Sequence, residues 1–275
     1  MFIKYICFLT VCCLGSLLAA ADGTLTILDT GKSIDLQKFF SRVFEKENSA
    51  LPQDVVINIT GTQWSEIKDI PVGSVIADDG LFMQKLPENW IKNIYAYQPV
   101  VLAVNINNPL EEVDIDTLQR IYSGRAGDWS RIGGRSGKII LAGYPEDSAV
   151  SRVFRKKVMF QDFNAGNDSD INKAIAPDVI ICRTSEAAAA LVQSSEQVIV
   201  FGGAGLLESS AKKYKILKVN GIFPSRENIL AGKYKLFSVH AIISSKSNPP
   251  ARLPELLNFL RQSSARYSQD MFPAK

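Results

Sequence analysis

The chain has 275 residues, of which 46% are hydrophobic and 21% are charged, a composition typical of a soluble globular protein. Its 31 Lys and Arg residues nearly balance its 28 Asp and Glu residues, and the two signs are interspersed along the sequence. This pattern argues against nucleic acid or an anionic membrane surface as the main partner, because both attract concentrated positive charge.

The first 21 residues are typical of a secretory signal peptide. Lys4 is followed by an apolar run from Tyr5 to about Leu18, and then by three alanines that place a small-x-small cleavage position after Ala21. The run is shorter than the ~20 apolar residues that a membrane-spanning helix needs. We therefore expect an exported, freely soluble product in the periplasm rather than an integral membrane protein.

Cysteine content constrains the mature chain further. Cleavage after residue 21 removes Cys7, Cys12 and Cys13 and leaves Cys182 alone. Neither Cys12 nor Cys13 follows a small residue, so a lipid-anchored product is not expected. A single cysteine excludes an internal disulfide and a cysteine metal cluster.

Strands and helices alternate through the first hundred residues of the mature chain. The sequence predicts strands over residues 24–28, 55–59 and 72–77, and a short helix near residues 65–70. A further helix carries one apolar face, formed by Leu36, Phe39, Phe40, Val43 and Phe44. The apolar run over residues 95–105 predicts one further strand.

The stretch over residues 104–154 is the most informative part of the chain. A turn at residues 107–109 precedes an amphipathic helix with Leu118, Ile121 and Tyr122 on one face and Gly124 at its end. A turn at Trp129 and a strand over residues 139–141 follow. The next helix is expected to bury three side chains, those of Val150, Val153 and Phe154.

The later elements continue the same alternation. The sequence predicts an Ala-rich helix over residues 185–193, a strand over residues 198–201, and a closing helix with Leu253, Leu256, Leu257 and Leu260 at helical spacing. Such alternation predicts an α/β fold with mostly parallel sheets flanked by helices.

Two ordered motifs resemble the phosphate-binding proteins of bacterial ABC importers. Residues 118–129 are similar to the family's L-x-x-I-[YF]-S-G…W segment, which precedes a strand and an S-G-T-x-x-x-F helix start. Residues 219–234 are similar to its V-x-G-x-x-P-T-x-E-N-I-x-x-G-x-Y segment. The resemblance implies a two-lobed clamshell of the periplasmic-binding-protein type II. We expect lobe 1 from residues 22–103 plus 215–275 and lobe 2 from residues 104–214.

The resemblance also implies a cleft that binds a small oxyanion. Helix N-termini offer unpaired N–H groups and a partial positive charge to such a ligand. Three segments occupy family-like positions and supply the expected ligand-binding residues, together with Asp78 at a strand end: Gly31, Lys32 and Ser33; Gly61 and Thr62; and Ser148, Ala149 and Val150. The sequence does not distinguish Asp78 from Asp79 as the residue that faces the cleft.

The helix start at Ser148 departs from the family pattern. Val150 replaces a threonine hydroxyl, and Tyr144 replaces the arginine that the resemblance implies four residues before the serine. Glu146 and Asp147 add negative charge, and we expect Asp147 to cap the helix with its carboxylate. Two interpretations stay open: a capped helix start that excludes anions, and a working oxyanion site with different partners.

Catalysis has little support in the sequence. The only histidine, His240, lies in an apolar strand and is expected to be a hydrogen-bonded core residue, while Cys182, Trp129 and Phe154 are expected to pack in the interior. No residue set suggests a nucleophile with its base, a metal centre or a cofactor site.

The sequence therefore predicts an exported solute-binding protein and not an enzyme. Its expected ligand is phosphate or a related small oxyanion, bound weakly. An ABC permease or another envelope component is the expected protein partner of a monomeric chain. A clamshell reused as an interaction or sensory module is the main alternative, and a hydrolase acting in the cleft is the other.

Overall fold

The computed structural model describes residues 25–29, 55–59, 69–70, 72–78, 86–160, 174–208, 213–267 and 271–274. The predicted helix over residues 36–44, and nearly all of the one near residues 65–70, lie outside these ranges. Within them, no helix is both long enough and apolar enough to cross a membrane.

Thirteen strands and six α-helices make up the described part of the chain. The strands are β1 (Leu25–Asp29), β2 (Val55–Ile59), β3 (Ser74–Asp78), β4 (Trp90–Pro99), β5 (Val101–Asn105), β6 (Glu112–Val113), β7 (Ile140–Gly143), β8 (Ile180–Ile181), β9 (Val198–Gly202), β10 (Tyr214–Ile216), β11 (Lys218–Val219), β12 (Phe237–Ser245) and β13 (Phe272–Pro273). The helices are α1 (Ile115–Tyr122), α2 (Ala149–Lys157), α3 (Ser185–Ser194), α4 (Gly205–Glu208), α5 (Arg226–Leu230) and α6 (Leu253–Tyr267), with a 3₁₀ turn at Trp129–Ile132.

The strands form two principal sheets, as the clamshell interpretation requires. The first sheet has six strands in the order β13-β4-β12-β3-β1-β2, and the second has five in the order β10-β5-β9-β7-β8. Strands β6 and β11 form a separate two-stranded ribbon. The predicted α/β fold class is confirmed.

Both principal sheets are mixed rather than mostly parallel. Strands β1, β2 and β3 are parallel, as are β7, β8 and β9, whereas β12 runs antiparallel to both β3 and β4. Strand β4 leads the chain out of the first sheet and β12 brings it back, so β12 runs in the opposite direction. This return strand and β13, which is antiparallel to β4, make up the antiparallel part of the first sheet. In the second sheet, β5 runs antiparallel to both β9 and β10.

The chain changes sheets at Val100. The apolar run that predicted one strand is two strands: β4 ends at Pro99 in the first sheet, and β5 begins at Val101 in the second. The return occurs between Leu236 and Phe237, because β10, β11 and the residues up to Leu236 share the core of the second sheet. We therefore propose lobes of residues 22–99 plus 237–275 and of residues 100–236, in place of 22–103 plus 215–275 and 104–214.

The predicted elements of the second lobe are confirmed. Helix α1 buries Leu118, Ile121 and Tyr122. Gly124 comes directly after the C-cap residue, Ser123, and has a φ of +79° that suits glycine. Helix α2 buries its predicted inward residues, and the ring of Phe154 stacks on that of Phe201 at 4.2 Å between centroids. These rings and Tyr122 form the aromatic centre of the lobe.

Candidate functional site

Three strand ends lie side by side at one edge of the second sheet. Strands β7, β8 and β9 are parallel, so their carboxyl ends share this edge, and each is followed within a few residues by a helix. Helix α2 begins beyond β7, α3 beyond β8 and α4 beyond β9. In open α/β sheets, this edge is where ligands bind.

Ser148, not Asp147, is the N-cap of helix α2. Its backbone is extended (φ −75°, ψ 148°), and its hydroxyl accepts a hydrogen bond from the N–H of Ser151 at 3.1 Å. The expectation that Asp147 caps the helix is therefore wrong. Asp147 lies one position before the cap.

The predicted ligand-binding residues of this helix start are all buried. Ser148 is 5% exposed, Ala149 is fully buried, and the side chain of Val150 packs into the core of the second lobe. The side chains of Ala149 and Val150 therefore lie in the interior, and we expect any contribution of these two residues to binding to come from the backbone. Their role in binding stays a prediction.

A neutral pair links the end of strand β7 to the start of helix α3. The hydroxyl of Tyr144, at the end of β7, lies 2.6 Å from the Ser185 hydroxyl in the first turn of α3, and both residues are buried. The ring of Tyr144 lies over Gly202, where an added Cβ would come within 2.9 Å of the ring. Tyr144 thus fills the strand edge between β7 and β9 and brings no charge to it.

Two arginines, which were not among the predicted residues, contact the acidic residues before this helix. The Glu146 carboxylate, 77% exposed, forms an ion pair with Arg155 at 3.3 Å, an interaction that solvent weakens. Arg152 was not among the predicted residues, although it is only 6% exposed and its guanidinium donates to the carbonyl oxygen of Asp147 at 3.4 Å. Arg152 lies four residues after Ser148, on the same helix face, and this spacing could have identified it in the sequence as a residue near the helix start.

Asp78 is the predicted site residue that the structure describes in the first lobe. It ends strand β3, its side chain is completely buried, and its carboxylate lies 2.5 Å from the ammonium group of Lys92. Lys92 belongs to β4, which is separated from β3 by β12, so only the sheet order brings the two residues together. Asp79 lies outside the described residues.

The remaining predicted ligand-binding residues also lie outside the described ranges. They are Gly31, Lys32, Ser33, Gly61 and Thr62. Their assignment stays a prediction.

The residues considered for catalysis are core residues. His240 is fully buried, with its Nε2 atom 2.8 Å from Oε1 of Gln98, and Trp129 is 3% exposed. Cys182 is buried as well, and burial raises the pKa of its thiol, which favours the unreactive protonated form. In the part of the chain that the structure describes, no cluster of three or more His, Cys, Asp or Glu side chains is arranged to hold a metal ion.

Comparison with known proteins identifies the family. A model of the PBP superfamily domain matches residues 78–261, which is more than half of the chain. The chain belongs to the PBP superfamily. This membership confirms the resemblance derived from the motifs and supports a solute-binding function.

Individual relatives are distant. Phosphate-binding protein PstS of Bacillus subtilis (strain 168) is 26% identical over 141 residues, which are 50% of this chain and 46% of PstS. The chain therefore spans about half the length of the curated relative that it matches.

Solved structures agree in fold. An ABC-type phosphate transport receptor from Vibrio cholerae has a TM-score of 0.67 at 18% identity, covering 89% of this chain and 98% of the receptor. PstS from Borrelia burgdorferi has a TM-score of 0.66 at 15% identity, covering 92% of this chain and 100% of PstS. A possible phosphate binding protein from Planctomyces limnophilus has a TM-score of 0.68 at 16% identity, covering 92% of this chain and 93% of that protein. At these identities the likeness establishes the two-lobed α/β fold.

Proposed function

We propose that this chain is an exported solute-binding protein of an ABC importer, located in the periplasm, and that it binds phosphate or a related small oxyanion weakly. The family membership supports solute binding in general, and the names of the relatives suggest phosphate as the first ligand to test. Oxyanion binding needs no catalytic group, and we propose that the protein is not an enzyme.

The observation that carries this proposal is the pairing of two helix starts at one sheet edge. Helices α2 and α3 both begin at the carboxyl edge of the second sheet, and the Tyr144–Ser185 hydrogen bond joins the end of β7, which leads into α2, to the first turn of α3. Two helix N-termini at the same sheet edge each carry a partial positive charge, which favours a small anion there without requiring a cation. Both N-cap hydroxyls, those of Ser148 and Thr184, bond within their own helices.

Weak affinity follows from the charges. Each charge-assisted hydrogen bond is worth roughly 1.5–3 kcal/mol, and Tyr144 supplies none where the resemblance implies a bidentate arginine. Glu146 and Asp147 place two carboxylates just before the helix. Arg152 offsets some of this negative charge, but its described hydrogen bond is to a backbone carbonyl. We therefore expect a phosphate Kd in the micromolar-to-millimolar range, which corresponds to about −8 to −4 kcal/mol.

Isothermal titration calorimetry on phosphate-stripped protein tests the proposal. We expect measurable, weak binding of phosphate, and tighter binding by the double variant Tyr144→Arg with Asp147→Gly. Tyr144→Phe is the matched control, because it removes the hydroxyl without adding a cation. Sub-micromolar binding to the native protein would contradict the predicted weakness. Absence of heat with phosphate, sulfate and arsenate at millimolar concentration would contradict oxyanion binding.

A clamshell used for docking or sensing is the second candidate, and one observation favours it. The candidate binding groups already satisfy one another, since Tyr144 bonds Ser185 and Asp78 pairs with Lys92. A site whose polar groups are paired internally has less to offer a ligand. Affinity capture of a sensor or other envelope protein that is not a permease by the phosphate-free protein, with no anion binding in calorimetry, would favour this candidate over transport.

A further inference from the structure

The two crossings between the lobes lie side by side and are hydrogen-bonded to each other. The N–H of Val100, in the first crossing, donates to the carbonyl oxygen of Leu236 in the second at 2.8 Å. The carbonyl oxygen of Val100 accepts from the Tyr234 hydroxyl at 2.6 Å. All three residues are buried. The second crossing therefore satisfies both backbone polar groups of Val100, and the pair of crossings forms the hinge.

A side chain from helix α2 fastens the second crossing. The ammonium group of Lys157, the last residue of the helix, donates to the carbonyl oxygens of Lys235 at 2.7 Å and Phe237 at 2.8 Å. It also lies 4.9 Å from the centroid of the Phe237 ring. These contacts hold the carbonyl groups of the two residues on either side of Leu236.

The crossing itself contains a tight turn. The N–H of Phe237 donates to the carbonyl oxygen of Lys235 at 3.1 Å, which closes a γ-turn around Leu236. Hinges are a few residues whose φ and ψ angles absorb the movement of whole domains. We expect rotation of β12 against the second lobe to change the φ and ψ angles of Leu236, and this change would move apart the two carbonyl groups that Lys157 holds.

We propose that Lys157 is a hinge latch that restrains the rotation of one lobe against the other. Helix α2 has nine residues, about 14 Å in length, and it carries the candidate site at its first turn and the latch at its last. The latch is a property of the hinge, so it stands whether or not the proposed ligand is correct. The helix provides a rigid link by which a change at the sheet edge would reach the hinge.

The charges around the latch are positive. Lys156 on the same helix and Lys235 on the crossing both repel the Lys157 ammonium, which is half-buried. Burial and these two charges oppose the hydrogen bonds, because the charged group would be better hydrated outside. Because these effects offset part of the hydrogen-bond energy, breaking the contact requires little free energy. A hinge that must open and close needs such a contact.

Hydrogen–deuterium exchange of the whole protein tests the latch. In Lys157→Met, we expect the amides of Val100 and Phe237 to exchange roughly tenfold faster, because local opening of the hinge becomes easier. Lys156→Met is the matched control, since it removes the same charge from the adjacent residue and also removes a charge that repels Lys157, so these amides should exchange no faster than in the native protein. Amides of helix α1, remote from the hinge, should be unchanged in both variants.

A distance measurement provides the second readout. Spin labels at Glu88→Cys and Asp116→Cys, both exposed and one in each proposed lobe, report the separation of the lobes in a Cys182→Ser background. We expect a broader distance distribution with Lys157→Met than with Lys156→Met. If Lys157→Met fails to fold, Lys157→Gln is used, because glutamine can still donate to one carbonyl group.

Three results would overturn the proposal. The first is native exchange at Val100 and Phe237 in a folded Lys157 variant. The second is faster exchange spread evenly over the chain, which indicates a general loss of stability. The third is faster hinge exchange with an unchanged distance distribution, since a latch must restrain the lobes.

Discussion

Gly143 is predicted to be the least replaceable glycine of the second lobe. A Cβ added there would lie 2.2 Å from Cε1 and 2.4 Å from Cζ of Phe201, whereas ordinary contacts begin at 3.4 Å. The ring would have to move by about 1.2 Å, the difference between these two distances. It cannot do so easily, because it is stacked on Phe154 at 4.2 Å and meets Tyr122 edge-on at 5.4 Å.

We therefore expect Gly143→Ala to destabilise the protein by about 2–3 kcal/mol, the upper part of the usual range for overpacking a core. The φ angle of Gly143 is not in the left-handed region, so the cost is one of packing and not of backbone strain. Urea unfolding should show a lower midpoint at an unchanged m-value, and thermal unfolding should show a Tm lowered by roughly 2–4 °C per kcal/mol.

Gly127→Ala is the matched control for this variant. The nearest atom to its added Cβ is the Gly124 carbonyl oxygen at 4.0 Å, and its φ is not positive. We expect a neutral effect, or a stabilisation of up to about 1 kcal/mol from reduced unfolded-state entropy. Adding Phe201→Leu to Gly143→Ala should recover part of the loss by making room. A cost below about 0.5 kcal/mol for Gly143→Ala would refute this account of the core.

Three further predictions concern helix α2 and the hinge. Ser148→Ala should lower the free energy of unfolding by about 1 kcal/mol in urea, because it removes the N-cap hydroxyl. Asp147→Ala should change that free energy by less than about 0.5 kcal/mol. A larger loss for Asp147→Ala than for Ser148→Ala would show that Asp147 is the cap. Tyr234→Phe should cost about 1–3 kcal/mol, because it leaves a buried carbonyl oxygen without its hydroxyl donor, and an unchanged unfolding midpoint would contradict this role. Burial and two neighbouring positive charges lower the pKa of Lys157 from 10.5 to about 8, so the folded state binds this proton less tightly than the unfolded chain. The contribution of Lys157 to stability should therefore increase as the pH rises from about 8 toward 10.5, and this increase should be missing from the same pH series on Lys157→Met.

Periodicity predicted the elements of the second lobe because its signals are local. In helix α1, three apolar residues share one face and glycine follows the end, and both features are determined by neighbours within one or two turns. The closing helix α6 was predicted for the same reason. The crossing at Val100 was not found, because the residues on both sides are equally apolar and only Pro99 interrupts the run.

The cap of helix α2 shows where local signals become ambiguous. Asp147 and Ser148 are adjacent, and both residue types are good N-caps. The choice between them depends on where the backbone leaves β7 and first becomes helical, which the packing of the whole lobe determines. The structure assigns the extended backbone and the capping hydroxyl to Ser148.

The polar pairs of the candidate site could not be predicted at all. Tyr144 and Ser185 are 41 positions apart, and they meet because β7 and β8 are neighbours in the sheet. Asp78 and Lys92 meet across β12, a strand that enters the sheet from far along the chain. Such contacts are determined by strand order, which no short motif contains.

The distribution of family-like residues between hinge and site suggests which property this chain has kept. The return motif over residues 219–234 ends in Tyr234, whose hydroxyl donates to the carbonyl oxygen of Val100 in the first crossing. The backbone carbonyl oxygen of Asn228, in the same motif, accepts hydrogen bonds from the N–H groups of Lys233 and Tyr234. The departures from the family pattern are at the start of helix α2, where Tyr144 and Val150 replace a cation and a hydroxyl. A chain that needed only a rigid docking surface would have no requirement for a hinge built from hydrogen bonds between two crossings. If the proposed hinge is correct, we expect lobes that still move and an altered ligand chemistry at the start of helix α2.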